Sequence, residues 1–401
     1  MTPSGIQESI RRDLTVEFRL ILAYLSATDA DTRKRDIERL LQQKPAWDEF
    51  LSLCMRHKVA QQIYYRMDSE EKAALPESVS AELKDHYQKN RRRAMEFISE
   101  TIRLLGIFKK NRISVLSIKG PELAQWVYGD VGVRHVGDLD LLISPEDFDK
   151  ADRLIQEEAY EAVTAGLIHK NQLKRLMPDA EYYSYRRRIY IELHWRLTPR
   201  KLLPLSPTEL FNHSITNKIG GFPVQTLGPE DRILHLLVHG SDHAWFRLKW
   251  LNDMAYILTH HGTLDWARIA DRVESLGLDR VLHQTLYLAH GLFDVSIPDS
   301  LSLPDIPNRR MNAMITTAMN AMHDPEPFMM EWHTMPVRQV LEGLWYRAGL
   351  HRSLRYKAGI LQNMLVRPKD WDALPLPEVL FPLYYVLGPV LFVKRHLFES
   401  K

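Results

Sequence analysis

Cysteine is almost absent: Cys54 is the only one in 401 residues, so no disulfide can close within the chain and no cysteine-rich zinc site can be built. A reducing compartment fits, and Cys54 is expected to be a small buried apolar side chain. Charge of one sign is not in excess either. Lysine plus arginine total 53 against 51 for aspartate plus glutamate, which excludes a global basic field directed at nucleic acid. Two local runs, Arg91-Arg92-Arg93 and Arg186-Arg187-Arg188, stand open between solvated faces or turns and local contacts. Long apolar runs are missing as well. The longest stretch, VLFPLYYVLGPVLFV, falls short of the ~20 residues of a spanning helix and contains Pro382, Gly388 and Pro389. It reads as a buried or partner-facing terminal segment without integral membrane insertion; peripheral membrane contact helped by Lys394 and Arg395 is the alternative. The start, MTPSGIQESIRRDL, lacks the apolar centre of a signal peptide, so a cytoplasmic location is expected.

What is present is an ordinary globular composition, 45% hydrophobic and 26% charged, in a chain long enough for two or three domains. From Leu14 to about Lys110 apolar residues recur at helical spacing, with breaks at Pro45 and Pro76. The pattern changes at ISVLSIKG, which reads as a buried strand turning into the helix PELAQWVYG, opened by proline and closed by Gly129. DLDLLI follows as a strand, then SPEDFDKADRLIQEEAY as a helix with Ser144 as its N-cap. Tyr182 to Tyr185 and Arg188 to Trp195 read as two strands joined through a turn at Arg186 and Arg187. Beyond Pro229 the helical period returns in PEDRILHLLVHGSDHAW, LKWLNDMAYILTHH and DWARIADRVESLG. The expectation is an α+β protein: a small mixed-sheet core over residues 111–228, flanked by a helical region over 1–110 and another over 229–401.

The chemistry concentrates in GVRHVGDLDLLI. Alternation along a strand puts Asp138 and Asp140 on one face and sends Leu139, Leu141 and Ile143 into the core. Two carboxylates held so close repel unless a cation sits between them, which suits a hard ion such as Mg²⁺. In IYIELHW, Ile189, Ile191, Leu193 and Trp195 share one face, leaving Tyr190, Glu192 and His194 on the other. If the two strands are neighbours, Glu192 joins the aspartates in a three-carboxylate site able to hold two metals roughly 4 Å apart for an in-line phosphoryl or nucleotidyl transfer; otherwise it is an exposed strand acid. Lys119-Gly120, between a strand and a helix, lets backbone N–H groups and a positive charge face a phosphate.

These residues carry a resemblance. IKGPELAQWVYGDVGVRHVGDLDLLI followed by IELHWRL resembles the uncharacterised nucleotidyltransferase family of bacterial proteins within the DNA polymerase β-like superfamily. WDEFLSLCMRHKVAQQIYYRM, HLLVHGSDHAWFRLKWLNDMAYIL and FPLYYVLGPV resemble that family's flanking helices, so the likeness runs from about Trp47 onward. It implies a metal-binding pair at Asp138 and Asp140, a third carboxylate at Glu192 that ligates metal or helps deprotonate the acceptor, and a phosphate-binding glycine at Gly120. The usual Gly-Ser is Gly-Pro here, with Pro121 in the serine's place, so Lys119 or Arg134 is expected to take over the triphosphate contact. The spacing is also similar to that of aminoglycoside nucleotidyltransferases, whose acceptors are small and hydroxylated.

Other residues carry weaker signals. Arg134 and His135 precede the acids and suit phosphate contact, and His194 is placed to orient Glu192 or touch the acceptor. His235, His239 and His243 lie along one helix face and read as structural or substrate-lining rather than metal ligands. Asp253 reads as a helix-packing acid paired with a histidine or arginine, and Trp245, Phe246, Trp250 and Trp266 as core. The resulting expectation is a transferase that moves a nucleoside monophosphate from an NTP, ATP first, with Mg²⁺ or Mn²⁺, to a hydroxyl or phosphate acceptor. A small molecule is the expected acceptor, with RNA or a peptide as alternatives. A binding protein that kept the fold and lost the reaction is the rival reading.

Overall fold

The computed structural model describes residues 10–11, 13–164, 169–198, 203–304, 306–324 and 337–398. Five helices, Val16–Leu25, Ala30–Leu41, Trp47–Arg56, Ala60–Arg66 and Ser69–Ala74, lead into the long helix α1 (Glu77–Lys110). Their starts are written in the sequence: Thr15, Asp29 and Asp68 each accept a backbone N–H at a helix N-terminus, and Asp68 forms a capping box with Glu71. Cys54 is fully buried in Trp47–Arg56.

A seven-stranded mixed sheet follows, in the order β3-β4-β5-β2-β1-β7-β6. Its strands are β1 (Leu116–Ser117), β2 (Asp138–Leu142), β3 (Glu161–Ala162), β4 (Asp179–Ser184), β5 (Ile189–His194), β6 (Ile215–Ile219) and β7 (Phe222–Thr226). The central pairs β2–β5 and β1–β7 are parallel, and β1–β2, β4–β5, β3–β4 and β6–β7 are antiparallel. Between β1 and β2 lies α2 (Pro121–Tyr128), closed by Gly129 in the left-handed conformation as its sequence predicts. After β2, Pro145–Asp147 forms a 3₁₀ turn before α3 (Phe148–Glu157). Ser144 stands at the N-cap of that turn with extended backbone, but its hydroxyl makes no capping bond and donates to the Glu146 carboxylate.

The sequence reading is too generous at ISVLSIKG, where only Leu116 and Ser117 pair in the sheet, and it misses the β6–β7 hairpin. That hairpin turns on Gly220 and Gly221, both at positive φ, the two-residue turn whose twist matches paired strands.

The strand interiors explain why the sheet sits where it does. Leu139, Leu141, Ile143, Ile189, Ile191, Leu193 and Trp195 are all buried in one cluster with Phe97, Leu104 and Phe108 of α1 and Phe148 and Ile155 of α3. Each such leucine or isoleucine contributes about 1.5–3 kcal/mol relative to exposure. A second, larger cluster joins the N-terminal helices to α4 (Pro229–Asp242), α5 (Leu248–His260) and α6 (Asp279–Phe293). Trp245 and Trp266 belong to this core, as does Phe246, and Trp250 lies at its edge.

The arginine runs are partly structural. Arg187 reaches Glu100 at 3.4 Å and donates to the Glu158 carbonyl at 2.7 Å, and Arg93 donates to the Arg188 carbonyl, tying the β4–β5 turn to α1. The C-terminal apolar segment is split by face: Phe381 and Tyr384 are buried against Trp371, while Val379, Val386 and Val390 are exposed. Among the described residues, no helix is long and apolar enough to cross a membrane.

Candidate active site

The parallel register of β2 and β5 aligns Asp138 with Tyr190 and Asp140 with Glu192. Because side chains opposite one another in a sheet share a face, Asp140 and Glu192 are neighbours and Asp138 lies along the same face. The antiparallel strand β4 adds two acids the sequence reading passed over: Glu181 opposes Glu192, and Asp179 opposes His194. The alternation that marks β4 starts at Asp179, four residues after the basic helix end at Arg175, and this was the signal available to find them.

Asp140, Glu192 and His194 form the tightest group. Their ligand atoms all lie within 4.8 Å of one another. His194 Nε2 is 3.2 Å from Glu192 and 3.4 Å from Asp140, and its Nδ1 is 3.4 Å from Asp179. Lys119 Nζ stands 2.8 Å from Asp140 Oδ1, with both side chains buried. Despite these contacts, both Asp140 oxygens and both His194 nitrogens are buried without a well-directed hydrogen bond among the described residues. Two carboxylates and an imidazole, with the atoms of Asp140 and His194 unsatisfied, are a donor set that fits a divalent cation.

The electrostatics follow from crowding. Burial alone would raise Asp140, but Lys119 and His194 outweigh it and hold the carboxyl well below the usual range. Burial would likewise lower His194, and the acids around it push it up to about 10. Glu192 is raised, first by burial and then by Asp140. Burial also raises Asp179 to about 6 against the pull of His194.

Gly120 sits at the start of α2 with φ 81° and ψ −144°, a region that is essentially glycine's alone. A Cβ there would approach the Asp138 carbonyl oxygen to 3.5 Å, so the turn lies directly on β2. The glycine thus delivers the helix N-terminus to the acidic face, and Pro121 follows at the one position where a missing N–H costs nothing.

Arg134 is placed differently from expectation. It is buried, and its Nε donates to Asp253 at 2.8 Å. Asp253 also accepts from Tyr128 at 2.7 Å, and the Tyr128 oxygen accepts from Gln62 and Asn252. Asp253 therefore pairs with an arginine, as its sequence context predicts, and the arginine is the one expected on phosphate. His135 is half-buried, and its imidazole is pushed down first by burial and then by Lys249 and Lys58.

His235, His239 and His243 do line α4 in a ladder, with ring centroids 5.8 and 4.9 Å apart. His239 and His243 stand against Trp250 at 5.1 and 5.2 Å. All three are held neutral by burial, and His235 is close enough to feel Lys119, Asp140 and His194. They do not group as ligands among the described residues. Gly240 leaves room for the Trp245 ring, since a Cβ there would sit 2.1 Å from it. The sequence reading gave no role to Arg247 and Lys249, which feel the Asp138 charge, or to Lys58, which feels Arg247; about 190 positions separate Lys58 from the other two, and no local pattern announces the meeting.

A family model described as an uncharacterised nucleotidyltransferase matches residues 43–294, more than half the chain and all the site residues above. No curated protein and no solved structure matches the chain. A mixed sheet with flanking helices and an acidic face behind a glycine turn agrees with that match. The chain belongs to this nucleotidyltransferase family and is an enzyme that transfers phosphorus-containing groups.

Proposed function

We propose that the enzyme transfers a nucleoside monophosphate from an NTP to a hydroxyl or phosphate acceptor and releases pyrophosphate. The observation that carries this reading is the opposition of Asp140 and Glu192 on neighbouring parallel strands, with His194 beside both and the ligand atoms of Asp140 and His194 unsatisfied. Asp138, Asp140 and Glu192, joined by His194, would hold Mg²⁺ or Mn²⁺. When bound, such an ion supplies charge neutralisation for the triphosphate and a Lewis acid at the acceptor oxygen.

The chain's own residues supply the rest. Gly120 brings the N-terminus of α2 to the triphosphate, and Lys119 adds positive charge beside it once Asp140 turns to other partners. The acceptor oxygen forms a bond to the α-phosphorus while the bond to the bridging oxygen breaks, and pyrophosphate leaves with that electron pair. Glu192, raised by burial and by Asp140, is a stronger base than an ordinary carboxylate and is suited to take the acceptor's proton. Arg134, anchored by Asp253, fixes the approach to β2 from behind. ATP is the proposed donor, a small hydroxylated molecule the proposed acceptor, and the cytoplasm the proposed location.

One observation favours the binding-protein reading: Lys119 already neutralises Asp140 at 2.8 Å, as a cation would. The deciding experiment is pyrophosphate release from each of the four NTPs with Mg²⁺ or Mn²⁺ in a cell metabolite extract, comparing the wild type with Asp140→Asn. Release by the wild type alone establishes transfer. Silence from both, with NTP still bound, establishes the retired site.

A further inference from the structure

Among the described residues, four lysines or arginines are buried: Lys119, Arg134, Arg232 and Lys249. Three of them have a carboxylate partner at 2.8 Å, Asp140, Asp253 and Glu122 respectively. Lys249, only 8% exposed, has no carboxylate within 4.0 Å among the described residues. Buried charge is ordinarily paired, because desolvation without a partner costs several kcal/mol. Lys249 is not alone in this. Arg247, half-buried, lies with its guanidinium 5.2 Å from the Phe246 ring centre and 5.8 Å from that of Trp250, and Lys249 Nζ is 5.8 Å from Trp250. Lys58 comes to the same place from the N-terminal helices: the Lys249 N–H donates to the carbonyl of His57 at 3.3 Å, and the Leu248 N–H to the His57 ring at 3.3 Å. Neither Arg247 nor Lys58 has a carboxylate within 4.0 Å among the described residues.

We propose that Lys249, Arg247 and Lys58 form a cradle for a phosphoryl group on the Asp138 side of the active site, the missing counter-ion being the substrate itself. Three converging cations suit a multiply charged anion better than a single carboxylate, and the guanidinium fork matches phosphate oxygens. The mutual repulsion of the three supports the arrangement: Lys249 is lowered to about 7, first by burial and then by Arg134 and Arg247, and Lys58 is lowered by burial and Arg247. The same chemistry could come from the donor's polyphosphate tail or from a phosphate on the acceptor. The inference rests on the nucleotidyl-transfer reading for its place in the reaction, but the cradle can be tested without turnover.

The test titrates the full-length chain with inorganic tripolyphosphate in EDTA, so that no metal contributes, and compares the wild type with Lys249→Met and Arg247→Met. The expected result is at least tenfold weaker binding in each variant, with ligand-free Lys249→Met melting no lower than the wild type because it sheds an uncompensated charge. Unchanged affinity in both variants would overturn the proposal, as would a ligand-free Lys249→Met that melts far lower and binds normally, the mark of an internal counter-ion. Arg247→Met, nearer the rim, decides the matter if Lys249→Met does not fold. ATP that displaces tripolyphosphate and needs Lys249 identifies the donor's tail. Inorganic phosphate that still raises the melting temperature of the ATP-saturated protein through Lys249 identifies the acceptor. Absence of pyrophosphate release from the wild type, with its Lys249-dependent tripolyphosphate binding intact, would instead count against the transfer reading.

Discussion

The two sides of the acidic face handle charge in opposite ways. On the Asp140 side the cations stand against carboxylates: Lys119 on Asp140, His194 between Asp140, Glu192 and Asp179. On the Asp138 side Arg247 and Lys249 stand against aromatic rings, with Lys58 near Arg247, and none has a close carboxylate among the described residues. A paired buried charge belongs to the folded state; an unpaired one is tolerated for what it binds. The contrast divides one strand face into a half completed by the protein and a half left for the substrate.

The sharpest way to break the comparison is Asp140→Asn. Pyrophosphate release is expected to fall on the order of 10³-fold or more, the scale of removing one charged member of a catalytic unit, while circular dichroism stays that of the wild type. Next comes Arg134→Met, which strands buried Asp253. Urea unfolding is expected to show a loss of about 3–5 kcal/mol, the cost of breaking a buried pair, where Lys249→Met on the other side loses none. Gly120→Ala forces a Cβ into a glycine-only backbone region. About 1–3 kcal/mol of stability is expected to go, together with a raised KM for the NTP.

The smallest effect is one of pH. Lys249 falls from 10.5 unfolded to about 7 folded, so between those values the unfolded chain holds a proton that the folded one has shed. The cost of burying this charge is therefore absent above about 10.5, grows as pH falls through that window and is full below about 7. Lys249→Met is therefore expected to melt above the wild type by a margin that is largest at and below about pH 7 and shrinks as pH rises toward 10.5; parallel curves would remove the contrast between the two sides.

Much of the fold was legible because it is local. Alternation in DLDLLI and IYIELHW foretold the faces of β2 and β5, and Pro121 and Gly129 bracketed α2. The β6–β7 hairpin was missed although Gly220-Gly221 marks its turn, because Pro223 and short, half-exposed strands blur the period. At the site, Asp138, Asp140, Glu192, His194 and Gly120 were named from their strands and turn. What sequence could not show was long-range pairing: a motif proposes Arg134 for phosphate, and only packing reveals that its Nε is also held by Asp253, 119 residues away. Convergence was equally hidden, since Lys58 and Lys249 meet through a backbone contact at His57.

That contact, a single N–H from Lys249 reaching the carbonyl of His57, has a consequence for modularity. The strands with the carboxylates are short and could be taken for a portable cassette, but the cationic half of the face is furnished by the helical regions on either side of the sheet. Excising residues 111–228 would carry off the acids and leave their complement behind. Evolution could redesign substrate choice in such an enzyme by altering the helices alone, but it could not shed them without dismantling the pocket.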